Sequence, residues 1–424
     1  MDTIFALSSG APPAGIAVIR VTGPQAGEAL QRLAGSLPAP RRATRAWLAD
    51  HAGERLDDGL VLWFPAPGSV TGEDLAEFHL HGGRAVIFAV EAALAALPGL
   101  RRAQPGEFTR RAFANGRIDL AEAEGLADLL SAETELQRRA ALAGAGGAIS
   151  RQVESWRDRL LLLSAQLEAV LDFDDEDDVS GLPEGFGAAI EALAADLHTT
   201  LAAPSAEPLR EGFRVALAGP PNAGKSTLFN ALLEDEAAIT AAEAGTTRDV
   251  LVRPVAMGGV PFSFVDMAGL REAGCDAIEA IGIDRAHGEI ARADLVLWLG
   301  PEGEGPPNVW EIEAQCDRAG RQLKQRPDWR VSAVTGEGLT ELKNALVDHA
   351  RRHMPRPGDV ALNRRQRDLV SQAGVSLANV DRHRDPLIMA EHLRQARLAF
   401  DQLLGRTATE DVLDALFGRF CIGK

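Results

Sequence analysis

The sequence predicts a multi-domain protein of mixed α+β and α/β class: an N-terminal α+β domain, and a doubly wound α/β domain inserted into a discontinuous helical one. Three observations predict it. The chain has 424 residues and is 46% hydrophobic, enough for two or three compact cores rather than one. Its texture changes near Asp119 from short β-like runs to long helical runs, and changes again near Arg214 to alternating strands and helices. Helical text then returns at about Asn363, so the alternating segment interrupts a helical domain built from both flanks.

In chain order, residues 1–117 carry GIAVIRV from Gly15, GLVLWFP from Gly59 and DLAEFHLHGG from Asp74, each bounded by Gly or Pro, and read as a small α+β domain. Residues 118–210 hold Ala-, Leu- and Glu-rich runs with helical spacing, among them VESWRDRLLLLSAQLEAVL, the first part of the helical domain. A linker with Pro204 and Pro208 leads into RVALA, Arg214 to Ala218, the opening strand of an α/β segment over 211–350. Residues 351–424 form the second helical part. An inserted domain of this kind transmits its ligand state mechanically to the helices.

Composition excludes several classes. No stretch approaches the roughly 20 apolar residues that cross a bilayer, and MDTIFALSSG lacks a basic region and a cleavage site, which predicts a cytoplasmic protein with no membrane partner. Cys275, Cys316 and Cys421 lie far apart without a CxxC pair, so they read as reduced thiols rather than a disulfide frame or a zinc site. The net charge of −17 opposes a broad basic surface for nucleic acid, so any RNA contact is local or borrowed from a partner. The acidic run from Asp172 to Asp178 reads as a solvated loop or helix end, with no metal assigned.

The strongest chemical signal is GPPNAGKS, Gly219 to Ser226, between a hydrophobic strand and the helix-like TLFNALL. In such a P-loop, backbone N–H groups and a helix N-terminus cradle phosphates, Lys225 neutralises the terminal phosphates, and the Ser226 hydroxyl ligates magnesium. Downstream, AGTTRD supplies Thr246 and Thr247, and the strand PFSFVD ends in DMAG, Asp266 to Gly269. Asp266 is placed to hold the metal through water, and the Gly269 N–H to reach the terminal phosphate; the threonine pair closes over the metal. For the base, AQCD from Ala314 to Asp317 stands where an Asn-Lys-x-Asp element is usual; Asp317 accepts from guanine N1–H and the exocyclic amine, and Ser332, Ala333 and Val334 support the ring from the other side. The expected nucleotide contacts are therefore Asn222, Ala223, Gly224, Lys225, Ser226 and Thr227, then Thr246, Thr247, Asp266, Met267, Ala268 and Gly269, then Asp317 with Ser332 to Val334. This set predicts a Ras-like P-loop GTPase domain with GTP as substrate and magnesium at Ser226 and Thr247.

PNAGKS, AGTTRD, the DMAGLRE segment and the terminal Cys421-Ile-Gly-Lys424 together make the chain resemble the MnmE (TrmE) family of tRNA modification GTPases. The resemblance also covers TGEDLAEFHLHGG from Thr71 and PGEFTRRAFANGRIDLAEAEGLADLL from Pro105, so it spans all the domains. Departures are AQCD, the short stretch from Gly300 to Arg330, Met267 where Thr is usual and Val70 where an aromatic is usual.

The resemblance implies a homodimer whose nucleotide domains associate with GTP and potassium, the cation replacing an arginine finger. It implies potassium ligands at Asn222, Ala241, Glu243 and Thr246, with Ala241 also beside the nucleotide, and catalytic roles for Glu279 in activating water, with Lys225 and Thr247. It implies a tetrahydrofolate one-carbon derivative bound in the N-terminal domain at Arg20, Glu77, Arg117 and Lys424; a carboxylate accepts paired hydrogen bonds from a pterin edge, and cations meet the glutamyl carboxylates. Cys421 is either a nucleophile or an inert structural thiol. An FAD-containing partner, MnmG, would act with this chain to add an aminomethyl or carboxymethylaminomethyl group at carbon 5 of the wobble uridine of certain tRNAs, the flavin belonging to the partner. Two rival readings remain: a regulatory or ribosome-assembly GTPase without modification activity, and a folate-binding module with a degenerate nucleotide domain.

Overall fold

The computed structural model describes residues 2–172, 182–234, 237–238, 251–266, 288–307, 309–318, 323–356, 359–380 and 385–424. These fall into two compact units, one of residues 1–127, 149–157 and 397–424, the other of 128–148 and 158–396.

The first unit is built on a six-stranded sheet of β1 (Thr3–Leu7), β2 (Ile16–Thr22), β3 (Thr44–Ala49), β4 (Arg55–Phe64), β5 (Leu75–His81) and β6 (Leu100–Arg102), in the order β3-β4-β5-β2-β1-β6. All neighbours are antiparallel except β1 and β6. Side chains alternate across a strand, so β2 sends Ile19 and Val21 to one face and Arg20 to the other. The Ile19 face is covered by the helices Ala26–Ala34 and Arg84–Ala95, and its core holds Phe5, Phe78, Leu30 and Val90. The helix Glu107–Ala114 and the C-terminal helix Glu410–Phe417 join the same unit, where Phe417 packs against Phe113 at 6.0 Å between ring centroids. Gly106, at φ 68°, admits this contact, because a Cβ there would lie 2.2 Å from the Phe417 carbonyl oxygen.

The second unit holds a seven-stranded sheet of β7 (Phe213–Ala218), β8 (Ala237–Ala238), β9 (Leu251–Met257), β10 (Val260–Asp266), β11 (Leu295–Trp298), β12 (Val309–Ala314) and β13 (Trp329–Val331). Its order is β13-β12-β11-β7-β10-β9-β8. Strands β13, β12, β11, β7 and β10 are parallel and β8 and β9 form an antiparallel edge, the doubly wound plan expected of the alternating segment. Parallel central strands are buried on both faces, which is why RVALA and PFSFVD read as continuous apolar runs. Phe213, Phe262 and Phe264 fill the layer under the helices Lys225–Leu233 and Leu339–His353. Helices Phe186–Ala202 and Arg364–Val380 pack on each other in this unit, and Arg367 donates to the carbonyls of Ala203 and Leu201.

Trp156 is the largest fully buried side chain among the described residues and packs against Phe400, with ring centroids 5.9 Å apart and the planes tilted by 33°, tying residues 149–157 to the C-terminal segment of the first unit. Replacing it with alanine leaves a large cavity. Trp156→Ala is expected to lower unfolding stability by about 3–5 kcal/mol in a denaturant titration; an unchanged midpoint would show that this contact does not hold the segment.

Candidate functional site

The carboxyl ends of parallel strands gather the loops of the second unit at one edge. Gly219 follows β7, Asp266 ends β10, Gln315 follows β12 and Ser332 follows β13. Ligands of doubly wound sheets bind in this crevice. β7 and β10 pair with Asp266 opposite Leu217, which sets the carboxylate level with the end of the strand that feeds the loop.

The loop backbone is shaped for close approach. Gly219 has φ 147° and Gly224 φ 97°, and Asn222 takes the left-handed conformation at φ 61°, uncommon for a residue with a side chain. A Cβ at Gly219 would stand 2.9 Å from the Gly300 nitrogen. Lys225 opens the following helix and is only 7% exposed; its Nζ donates to the carbonyl oxygens of Gly219 at 3.0 Å and Pro220 at 2.8 Å. The Ser226 Oγ donates to Asp266 Oδ2 at 3.0 Å, and Asp266 is itself 6% exposed. A hydroxyl and a carboxylate converging at a helix N-terminus are hard oxygen donors, a set that fits magnesium.

A cavity of about 90 Å³ lies beside the loop, and its lining includes Gly224, Thr227, Gln315, Asp317, Ala333 and Val334. Five of these, Gly224, Thr227, Asp317, Ala333 and Val334, are among the expected nucleotide contacts, the last three at the base end. Ser332 is fully buried and its Oγ accepts from the N–H groups of Val334 and Thr335 at 3.3 and 3.1 Å, fixing the turn that presents Ala333. Sequence reasoning passed over Gln315 and Arg318, which also line the cavity; the signal was Gln315's place in AQCD, where a lysine is usual. Ala241, Glu243, Thr246, Thr247, Met267, Ala268, Gly269, Glu279 and Cys275 lie outside the described residues.

In the first unit, Arg20 and Glu77 are register partners on β2 and β5. Arg20 Nε meets Glu77 Oε1 at 2.8 Å, and His79 Nε2 lies 3.1 Å from Glu77 Oε2. Burial pushes the Glu77 carboxyl up, but the hydrogen bonds of His79 and Arg20 outweigh it and hold the carboxyl below its ordinary value. His79 is a residue the sequence reading missed, although a strand places it two residues from Glu77 on the same face. Along β2, Thr22 Oγ1 lies 2.7 Å from Thr71 Oγ1, and the Thr71 carbonyl accepts from Asn115 Nδ2 at 2.7 Å, two residues before the exposed Arg117. The C-terminal tail is fastened nearby: Ser8 Oγ donates to the Gly423 carbonyl at 2.9 Å, and Ile422 bridges Pro105. Gly423 thus lies against Leu7 and Ser8, one and two residues beyond Ala6, the register partner of Arg20. Lys424 follows directly, and Cys421 is exposed.

The sheet order, the phosphate loop after its central strand and the serine–aspartate pair at its edge define a P-loop nucleotide hydrolase. Comparison with known proteins names the family. The model described as "GTP-binding protein TrmE N-terminus" matches residues 3–117, and that described as "MnmE helical domain" matches residues 120–421. The tRNA modification GTPase MnmE of Novosphingobium aromaticivorans is 62% identical over 435 residues, covering 100% of both chains. That of Erythrobacter litoralis is 62% identical over 424 residues, again 100% of both, and that of Zymomonas mobilis 51% over 435. The G domain of the T. maritima FeoB iron transporter aligns with 32% of this chain and 98% of its own at 28% identity, with a TM-score of 0.23 that adds nothing to the family match. The chain belongs to the MnmE family of tRNA modification GTPases: it is an enzyme that hydrolyses GTP in the service of tRNA modification. Among the described residues no helix is long and apolar enough to cross a membrane.

The lowered Glu77 carboxyl carries a pH signature. A group whose folded value lies below its ordinary 4.5 contributes stability above that pH, and the contribution is lost as pH falls through 4.5 toward the folded value. Urea unfolding between about pH 5 and about pH 3 is expected to show a shallower loss for Glu77→Gln than for the wild type. Parallel curves would mean that the pair with Arg20 and His79 carries no net stabilisation.

Proposed function

We propose that this chain is the GTP-driven, potassium-dependent half of a wobble-uridine modification system. It acts as a homodimer with an FAD-carrying partner of the MnmG kind to place an aminomethyl or carboxymethylaminomethyl group on carbon 5 of that uridine. The observation that carries the reading is that one chain holds both a complete phosphate loop and, in its other unit, the half-buried Arg20–Glu77–His79 cluster beside the Cys421 to Lys424 tail. A regulatory GTPase has no use for the second feature. The domain reading that goes with it assigns 1–117 to folate binding and dimerisation, 118–210 and 351–424 to the helical domain, and 211–350 to the GTPase.

In the nucleotide site, Lys225 is already held in the loop by two carbonyls, so its ammonium is oriented toward the terminal phosphates before substrate arrives. Backbone N–H groups from Asn222 to Thr227 supply the remaining phosphate contacts. Ser226 and Thr247, with Asp266 behind them, would hold magnesium, which would neutralise phosphate charge. Asn222, Ala241, Glu243 and Thr246 would hold potassium, which would bring the positive charge that an arginine finger otherwise brings. Glu279 orients the attacking water. In the other unit, Glu77 stays ionised and accepts from a pterin edge, while Arg20, Arg117 and Lys424 present cations to the glutamyl carboxylates of a tetrahydrofolate one-carbon donor. Cys421, exposed next to that tail, is available as a nucleophile.

Two measurements test this. Steady-state hydrolysis by the purified chain is expected to require GTP rather than ATP and to run faster in potassium than in sodium; equal rates in both salts would remove the cation from the mechanism. Lys225→Ala is expected to lower GTP turnover by about 100-fold or more while leaving tetrahydrofolate binding intact. Loss of both would contradict two separate sites.

A further inference from the structure

A doubly wound sheet normally covers its faces with the helices that carry the chain from one parallel strand to the next. Between β11 and β12 the described residues of the connection, 299–307, contain no helix, and the face there carries a small core of Ala216, Ala218, Val265 and Val296. Trp298, the last residue of β11, packs against that core, and the connection folds over its indole. We propose that Trp298 is a positioning residue for GTP hydrolysis: through Gly300 it braces Gly219 and Pro220, the two residues whose carbonyls aim the Lys225 ammonium. The inference rests on the reading of Lys225 as the lysine that meets the terminal phosphates.

The indole is held from several directions. Its Nε1 donates to the Pro301 carbonyl at 2.8 Å. Gly305 lies on its five-membered ring, where a Cβ would stand 2.9 Å from Cγ and 3.1 Å from Cδ1. The strand end behind it is tied by Lys324, whose Nζ donates to the Trp298 carbonyl at 2.8 Å and to Glu311 Oε2 at 2.5 Å. Gly300 rests on the six-membered ring, where a Cβ would lie 2.6 Å from Cε2, and its other side meets the phosphate loop. The same Cβ would stand 3.1 Å from Pro220 Cδ, and one on Gly219 would stand 2.9 Å from the Gly300 nitrogen and 3.0 Å from the Leu299 carbonyl carbon. Backbone therefore packs on backbone, with no flexible side chain between them to give way.

The loop needs such a stop at one point. The rings of Pro220 and Pro221 hold φ at about −65°, so neither residue can swing. Gly219, at φ 147°, is the free joint between β7 and the loop. If it turns, the Gly219 and Pro220 carbonyls turn with it, and Lys225 Nζ, held by them at 3.0 and 2.8 Å, follows. Gly300, backed by Trp298, blocks that turn. A displacement of about 1 Å at the ammonium matters little for holding a diphosphate and much for stabilising charge that develops only in the transition state.

The test is steady-state GTP turnover and equilibrium GDP binding by the full chain, in the wild type, Trp298→Leu, Lys225→Ala and the double variant. Trp298→Leu is expected to lower kcat by about tenfold or more, while GDP affinity changes by less than about threefold. In the Lys225→Ala background the same substitution is expected to lower turnover by less than about twofold further, because residues that act as a unit are not additive. Equal losses in both backgrounds would mean that Trp298 does not act through Lys225 and would overturn the proposal. So would unaltered turnover in Trp298→Leu. Should that variant not fold, Trp298→Phe keeps an apolar ring on the core but neither donates to Pro301 nor reaches as far under Gly300. It is expected to show the same split, with kcat lowered by about threefold or more and GDP affinity kept; an equal loss of both would make Trp298 a packing residue and nothing else. Unchanged turnover in Lys225→Ala alone would remove the underlying reading, and the proposal with it.

Discussion

An ammonium group cannot be buried without oxygen partners, and the phosphate loop is shaped around that demand. Lys225 is almost wholly inside the protein, and carbonyls of Gly219 and Pro220 turn inward to meet it. For these carbonyls to converge on the lysine at the head of the next helix, the chain must double back within six residues. That reversal needs positive φ at Gly219, Asn222 and Gly224. With these carbonyls turned to the lysine and the Ala223 N–H closed on the Pro220 carbonyl at 3.4 Å, the start of the helix at Lys225 is the end where an anion would sit. The sheet then fixes the rest. Because β10 runs parallel to β7 in a register that sets Asp266 opposite Leu217, Ser226 finds a carboxylate within hydrogen-bond reach.

The parts of this architecture legible in the sequence are those where local pattern and tertiary role coincide. RVALA and PFSFVD are apolar throughout because central parallel strands are covered on both faces, and each became a strand within a residue or so of the expected limits. The long helical run became the 25-residue helix Ala148–Asp172. Strands β1, β3 and β6 escaped notice for physical reasons. β6 has three residues, Leu100 to Arg102, and exists only because β1, nearly a hundred residues earlier, pairs with it. β3 is a sheet edge with half of its residues exposed and only Leu48 buried, so it shows no clean alternation. The positions missed in the sites have the same origin. His79 and Gln315 act through neighbours brought by folding, Glu77 across a hydrogen bond and Gly224 across two loops.

The Arg20–Glu77–His79 cluster differs in kind from the surface ion pairs elsewhere in the chain, such as Glu28 with Arg32 in the helix Ala26–Ala34. Exposed pairs of that sort contribute little, since water screens them and two long side chains must be ordered. Glu77 is half-buried, sits in a sheet rather than on a flexible helix surface, and accepts from two donors. Its charge is therefore settled before any ligand arrives, and the outward side of the sheet presents fixed hydrogen-bonding groups. The opposite face carries the Ile19, Val21 and Phe78 core, so the strands that hold the cluster are themselves held. Such rigidity is what the ring-binding role proposed for this cluster would draw on.

The same separation of tasks explains how the nucleotide site accommodates its departures. Phosphate recognition rests on backbone geometry and Lys225, features that depend on glycine positions and on the strand-to-helix turn. In the reading given above, base recognition falls to side chains of two later loops, after β12 and β13, and Gln315 of the first of these meets Gly224 of the phosphate loop. On that reading the departures in AQCD bear on how firmly and how selectively the base is gripped, beside a serine–aspartate pair and a buried lysine that hold their hydrogen bonds. The two hydrogen bonds that hold Lys225 come from carbonyls of its own loop, and the one that holds Ser226 comes from the end of β10, so the phosphate end is anchored by groups outside the loops after β12 and β13.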